Sequence, residues 1–178
     1  MANYIGSGLK RFEDPTLITG TGHFVDDFHL PGMLHAVVLR SPHAHATIGV
    51  IDTSRARAAP GVVAVATAQD LQGTNSHLPV MPDPPGVSGA HPAHPVLARD
   101  KVRYVGEPVA VVVAEQRYQA TDAAELISVT YETLPAVIEP EESIKDQVLL
   151  HDDIGTNVIF MMDDEHGDID EAFRQADK

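Results

Sequence analysis

The chain has 178 residues, 43% of them hydrophobic, a formal net charge of −14 and no cysteine. That is enough chain for one globular domain and part of a second. The missing thiols exclude disulfides, thiolate zinc sites, cysteine nucleophiles and cysteine-ligated iron–sulfur clusters, and the negative charge argues against a nucleic-acid partner.

Residues 1–18 are polar and mixed and read as an arm that lies on something else. Met1 to Gly8 lack the basic-then-apolar pattern of a secretory signal, and no apolar run reaches the roughly 18 residues of a membrane helix. The expected location is the cytoplasm. His23 to Asp27 read as a strand and a turn. The turn signal Leu30-Pro31-Gly32 precedes a strand from Met33 to Arg40, and a second strand runs from Ala46 to Ile51. Asp52 is placed to cap a short helix over Thr53 to Ala59, which Pro60-Gly61 stops. Val62 to Ala66 is β-rich again.

Residues 73–96 carry Pro79, Pro82, Pro84, Pro85, Pro92 and Pro95, so neither ladder nor helix can persist there. A loop of this length in a compact domain reads as one that becomes ordered on a partner. Val109 to Val113 form the most apolar run and predict a strand covered on both faces. Arg117 to Ile127 has Ala120, Ala123, Ala124 and Ile127 at helical spacing, and Ser128 to Glu132 forms a further strand. This alternation predicts an α/β domain.

The end of the chain is acidic. Residues 139–178 hold 13 Asp or Glu against Lys145, Arg174 and Lys178, a net of −10. A helix is expected over Asp168 to Asp177, capped by Asp168, with Glu171 as a capping-box acid. Its apolar stripe of Ile169, Ala172, Phe173 and Ala176 needs a surface to pack against. The region is expected to be loosely held.

Candidate chemistry is sparse. His43 and His45 share a face if their segment is extended, the spacing of two metal ligands, but no third ligand is implied, with Ser41 the only other polar side chain on that face; structural histidines in a turn-to-strand corner are the simpler reading. His91 and His94 flank Pro92, which argues against the helix their spacing would need. Gly20-Thr21-Gly22 lacks the third glycine and the flanking strand and helix of a dinucleotide fingerprint, so a turn is the simpler reading. The pairs Asp26–Asp27 and Asp152–Asp153 point to opposite faces of an extended chain and make poor acid–base partners. The residues themselves assign no catalytic, cofactor-binding or metal-binding side chain.

The ordered motifs, however, form a pattern. Arg11-Phe12-Glu13-Asp14-Pro15 and Gly20-Thr21-Gly22-His23-Phe24-Val25-Asp26-Asp27 come first, then Leu30-Pro31-Gly32-Met33-Leu34-His35-Ala36. Arg40-Ser41-Pro42-His43-Ala44-His45-Ala46, Lys101-Val102-Arg103-Tyr104-Val105-Gly106-Glu107-Pro108-Val109-Ala110 and Tyr131-Glu132-Thr133-Leu134-Pro135-Ala136-Val137 follow. This string resembles the α/β hammerhead region that opens the large subunit of the xanthine dehydrogenase, aldehyde oxidase and carbon monoxide dehydrogenase family. The Arg11 to Pro15 segment is most similar to the carbon monoxide dehydrogenase branch.

The resemblance implies a hammerhead of α+β type, a mixed sheet with short packed helices, over residues 19–137. Residues 138–178 would be an acidic linker and the start of an incomplete molybdenum-cofactor region. It also implies that the complete large subunit binds a molybdenum–pterin cytosine dinucleotide. Iron–sulfur clusters and FAD would sit on a small and a medium partner subunit. The reaction is oxidative hydroxylation of an aldehyde or N-heterocycle, or carbon monoxide oxidation. The family's cofactor loops and catalytic glutamate have no counterpart in residues 1–178, so no site residue is transferred and the chain alone is expected to be inactive. The competing readings are a free-standing protein-interaction module and a small histidine metal-binding protein.

Overall fold

The computed structural model describes residues 5–73, 77–80, 82–162 and 166–176. The chain divides into two compact units, residues 1–33 and 34–178.

In the first unit, helix α1 (Asp14–Ile18) carries Pro15 in its first turn, where the fixed φ of proline suits a helix start. It ends at Gly20, whose φ of +70° lets the Thr21 and Gly22 N–H groups fold back onto the Thr16 carbonyl. Gly20-Thr21-Gly22 is thus a helix C-terminus. Val25–Asp27 form a 3-10 turn where the sequence suggests a strand, because the Asp27 carboxylate accepts the Phe24 N–H at 2.8 Å and closes the turn locally.

The second unit holds strands β1 (His35–Arg40), β2 (Ala46–Asp52), β3 (Val62–Thr67), β4 (Lys101–Val102), β5 (Pro108–Ala114) and β6 (Ser128–Thr133). Its helices are α2 (Ser54–Arg57), α3 (Arg117–Glu125), α4 (Pro140–Ser143) and α5 (Ile169–Gln175). The strands form two three-stranded sheets, β1-β5-β3 and β4-β2-β6. The hammerhead class with short packed helices holds. Every strand pairing among the described residues is antiparallel, however, where a mixed sheet was expected. The physical reason is the route of the chain. Helix α3 carries it from β5 into β6 of the other sheet, so the β–α–β sequence creates no parallel neighbours.

Alternation along β5 builds the core. Ala110, Val112 and Ala114 face Ala120, Ala123 and Ala124 of α3, with Ala56 and Val65 joining them. Alanines on the helix let it sit close to the sheet. On the reverse face Val109 is covered by Ala46, Ala98 and Val102, but Val111 and Val113 are only half-buried. The strand is therefore covered on both faces at one end only, a correction to the uniform cover expected of it. Asp52 does act at the start of α2, but one residue earlier than a cap: its carboxylate accepts the Ser54 N–H at 2.9 Å, and Thr53 occupies the cap position.

The acidic end is more ordered than its charge suggests. Asp146, at φ +54°, accepts from the Asn157 N–H at 2.7 Å and the Thr156 hydroxyl at 2.8 Å. The Asn157 amide donates to the Val148 and Ser143 carbonyls and accepts from the Leu150 N–H. Residues 143–158 thereby form a knotted strap. The proline-rich loop closes on itself, the Leu78 N–H donating to the His94 carbonyl at 2.7 Å, and meets the end of the strap where the Ala90 N–H donates to the Ile159 carbonyl at 2.8 Å. Helix α5 forms with Asp168 as its cap, accepting the Glu171 N–H at 2.8 Å. Ile169 and Phe173 remain exposed. The expected last residue of that helix, Asp177, lies outside the described residues, as do residues 1–4 of the arm.

Candidate functional site

Two of the sequence motifs meet at the corner where β1 leaves for β2. The turn before β5 depends on Gly106, whose φ of +93° is a conformation few side chains tolerate. It brings Glu107 against Ser41. The Ser41 N–H donates to the Glu107 carbonyl at 2.9 Å, and the Gly106 N–H donates to the Ser41 carbonyl at 2.8 Å. The Ser41 hydroxyl closes a small ring with the His43 backbone, donating to its carbonyl and accepting its N–H, both at 3.0 Å. Arg40 clamps the outside by donating to the Gly106 carbonyl at 2.9 Å.

Buried polar groups in this corner act on backbone. Glu107 is 3% exposed, and its carboxylate accepts the Arg103 N–H. His45 is 5% exposed, and its Nδ1 lies 2.7 Å from the Pro135 carbonyl. A carbonyl only accepts, so Nδ1 is the donor in this bond. The ring's Nε2 is buried without a hydrogen-bond partner. The His43 ring instead tilts over Tyr131, with centroids 4.8 Å apart, and burial raises the Tyr131 phenol above its ordinary range. The two imidazoles therefore serve different partners.

A second group of polar side chains, His94, Arg103, Tyr104, Glu107 and His151, lines a cavity of about 240 Å³ beneath the strap. Arg103 donates through Nε to the Leu150 carbonyl at 2.8 Å, and Lys101 pairs with Asp152. Burial lowers the His151 imidazole below its usual value, and Arg103 and His94 push the same way. His91 and His94 also part company: His91 meets Asp83 at 3.2 Å, while His94 approaches the Tyr104 hydroxyl at 3.5 Å. The Gly89 N–H, then His91, holds the Asp83 carboxyl below the ordinary range.

Among the described residues no group of three or more His, Asp or Glu side chains is placed to hold a metal ion. Among the described residues no helix is long and apolar enough to cross a membrane. The corner locks two chain crossings in register by hydrogen bonds made from the buried side chains of Ser41, His45 and Glu107. Sequence reasoning placed His43 and His45 at a structural corner and Ser41 beside them, but gave neither Ser41 nor Glu107 a role as its fasteners. The signal for them was a serine beside proline and a glutamate beside glycine at adjoining strand ends.

This arrangement has known counterparts. The family described as aldehyde oxidase and xanthine dehydrogenase, a/b hammerhead domain, matches residues 19–135. The large subunit of nicotine 6-hydroxylase from Paenarthrobacter nicotinovorans is 40% identical over 175 residues, covering 98% of this chain and 21% of the relative. The carbon monoxide dehydrogenase large chain of Afipia carboxidovorans is 47% identical over 151 residues, covering 84% of this chain and 18% of the relative. The crystal structure of a Cu,Mo-CO dehydrogenase superposes with a TM-score of 0.68 at 43% identity, covering 81% of this chain and 17% of that one. The chain thus spans about a fifth of the length of the relatives it matches.

Proposed function

Because the chain belongs to the aldehyde oxidase and xanthine dehydrogenase a/b hammerhead family, we propose that it serves as the structural and subunit-interface segment of a molybdenum hydroxylase large subunit. The observation that carries this reading is the sealed corner. Ser41, His45 and Glu107 are nearly fully buried and bond to backbone, the use expected of side chains that set chain geometry and leave none to meet a substrate.

In this reading the complete enzyme hydroxylates an aldehyde or N-heterocycle, or oxidises carbon monoxide, in the cytoplasm. A molybdenum–pterin cytosine dinucleotide is held by parts of the subunit beyond these residues and supplies the redox chemistry there. Iron–sulfur and flavin subunits are its partners. Residues 19–137 are the hammerhead, residues 1–18 the arm, and residues 138–178 the acidic connection toward the cofactor region.

Metal analysis of the purified 178-residue chain, with dye-reduction assays on aldehydes, purines and carbon monoxide, tests the assignment of chemistry elsewhere. The expected outcome is no retained molybdenum and no turnover. Stoichiometric molybdenum with turnover would place the active site here and overturn the reading.

A further inference from the structure

The β1-β5-β3 sheet has one face under α3 and one that is only partly covered. On the second face, register aligns two cross-strand rows: Val38–Val111–Ala66 and Ala36–Val113–Ala64. All six are apolar and none is fully buried. Val38 is 37% exposed although it sits at mid-strand. Val109, on the same face one step along, is completely buried by Ala46, Ala98 and Val102. The face therefore passes from dry core to open surface within two residues.

We propose that this open half-face is the seat of an uncharged apolar segment of the same polypeptide, from the part that relatives carry outside the matched fifth. The inference rests on the reading of the chain as a large-subunit segment. Size decides between occupants. Three strands about 4.8 Å apart and rows about 7 Å apart give a patch roughly 10 by 7 Å. A separate partner or a second copy needs about 800 Å² on each side. A covalently joined segment needs far less, because the linkage supplies millimolar effective concentration. Chemistry agrees with size. No ionisable side chain lies within the two rows, which suits a permanent contact better than one that must also face water. Three alanines leave room for a close backbone approach. The curated relatives, about five times longer than the matched segment, contain the chain needed to fill it.

The absence of cysteine provides the test. Single cysteines at Val38→Cys and Ala64→Cys report the face, and Val50→Cys, 69% exposed on the other sheet, is the control. Maleimide labelling, read by peptide mapping, is compared between the 178-residue chain and the polypeptide translated from the continuous reading frame. All three thiols label quickly in the chain. In the longer polypeptide positions 38 and 64 slow at least about tenfold, while position 50 does not. Equal labelling in both forms overturns the proposal while leaving the family role intact. Protection in the short chain that grows with its concentration assigns the face to a second copy and overturns it too. A reading frame that stops at Lys178 overturns the inference, since no further segment of the same polypeptide then exists to cover the face.

Discussion

The packing under α3 and the strap at 143–158 are both ordered, but by different physics. Under α3, Ala110, Val112 and Ala114 meet Ala120, Ala123 and Ala124, and no polar side chain is needed. In the strap no residue is fully buried, and one asparagine side chain makes three hydrogen bonds to hold it. Burial is non-directional and tolerates small shifts, whereas the strap depends on a few atoms in place. The first region should therefore fail globally when broken, and the second locally.

The largest effect is expected at Val112→Asp. The site is fully buried, so the carboxylate has neither water nor a partner, a cost on the order of 4 kcal/mol or more. The variant should not give a cooperative melt. Val111→Asp, one residue away on the half-open face, should cost only about 1 kcal/mol through lost strand preference and cross-strand contact. Thermal melts of the pair decide it, and equal damage from both substitutions would show that the reverse face is closed.

Next comes Asn157→Ala. Losing bonds to the Ser143 and Val148 carbonyls and from the Leu150 N–H removes about 2–4 kcal/mol locally, at roughly 1 kcal/mol each. Amide exchange should quicken through 143–158 while β5 keeps its protection. A parallel loss of protection in β5 would make the strap part of the global core.

Acid should act on the same strap more gently. Burial, seconded by Arg103, lowers the docked His151 pKa, so the undocked state binds the proton more tightly. His151 thus contributes to docking fully above its free value of 6.5, and that contribution fades as pH falls below it. Protection factors in 148–154, corrected for the intrinsic pH dependence of amide exchange, should fall between pH 7 and pH 5 in the parent chain and stay flatter in His151→Gln. An identical pH response in both would show that His151 does not carry the effect.

The same contrast explains what was readable beforehand. Apolar periodicity located β1, β2, β3, β5, α3 and β6 to within a few residues, because burial leaves a repeating mark on sequence. Asn157 and Asp146 leave none: their bonds reach 7 to 14 residues away along an irregular path. Composition pointed to a loose acidic tail, yet Lys101 and Arg103, on or beside a strand of only two residues, fasten it. The corner was half legible. His43 and His45 drew attention by residue type, while Ser41 and Glu107 matter through burial, which no local pattern reports.

The smallest effect is expected at the end of the chain, and it distinguishes a docked helix from a free one. Asp168 caps α5 by accepting the Glu171 N–H at 2.8 Å, and a cap of this kind contributes about 1 kcal/mol to its helix. Helix α5 has seven residues and buries none of them, with Ile169 at 52% and Phe173 at 78% exposure. A helix so short is marginal in water without packing. Its melting is therefore uncoupled from the core, and Asp168→Ala should reduce helical signal slightly while leaving the melting temperature of the chain unchanged. Circular dichroism at 222 nm alongside the thermal melt reads both quantities. A fall of several degrees, the shift that about 1 kcal/mol produces in a cooperative domain of this size, would mean that α5 is docked in solution. Its apolar stripe would then have found its surface within these 178 residues, and the contrast between a self-sufficient core and an unsupported end would narrow to the strap alone.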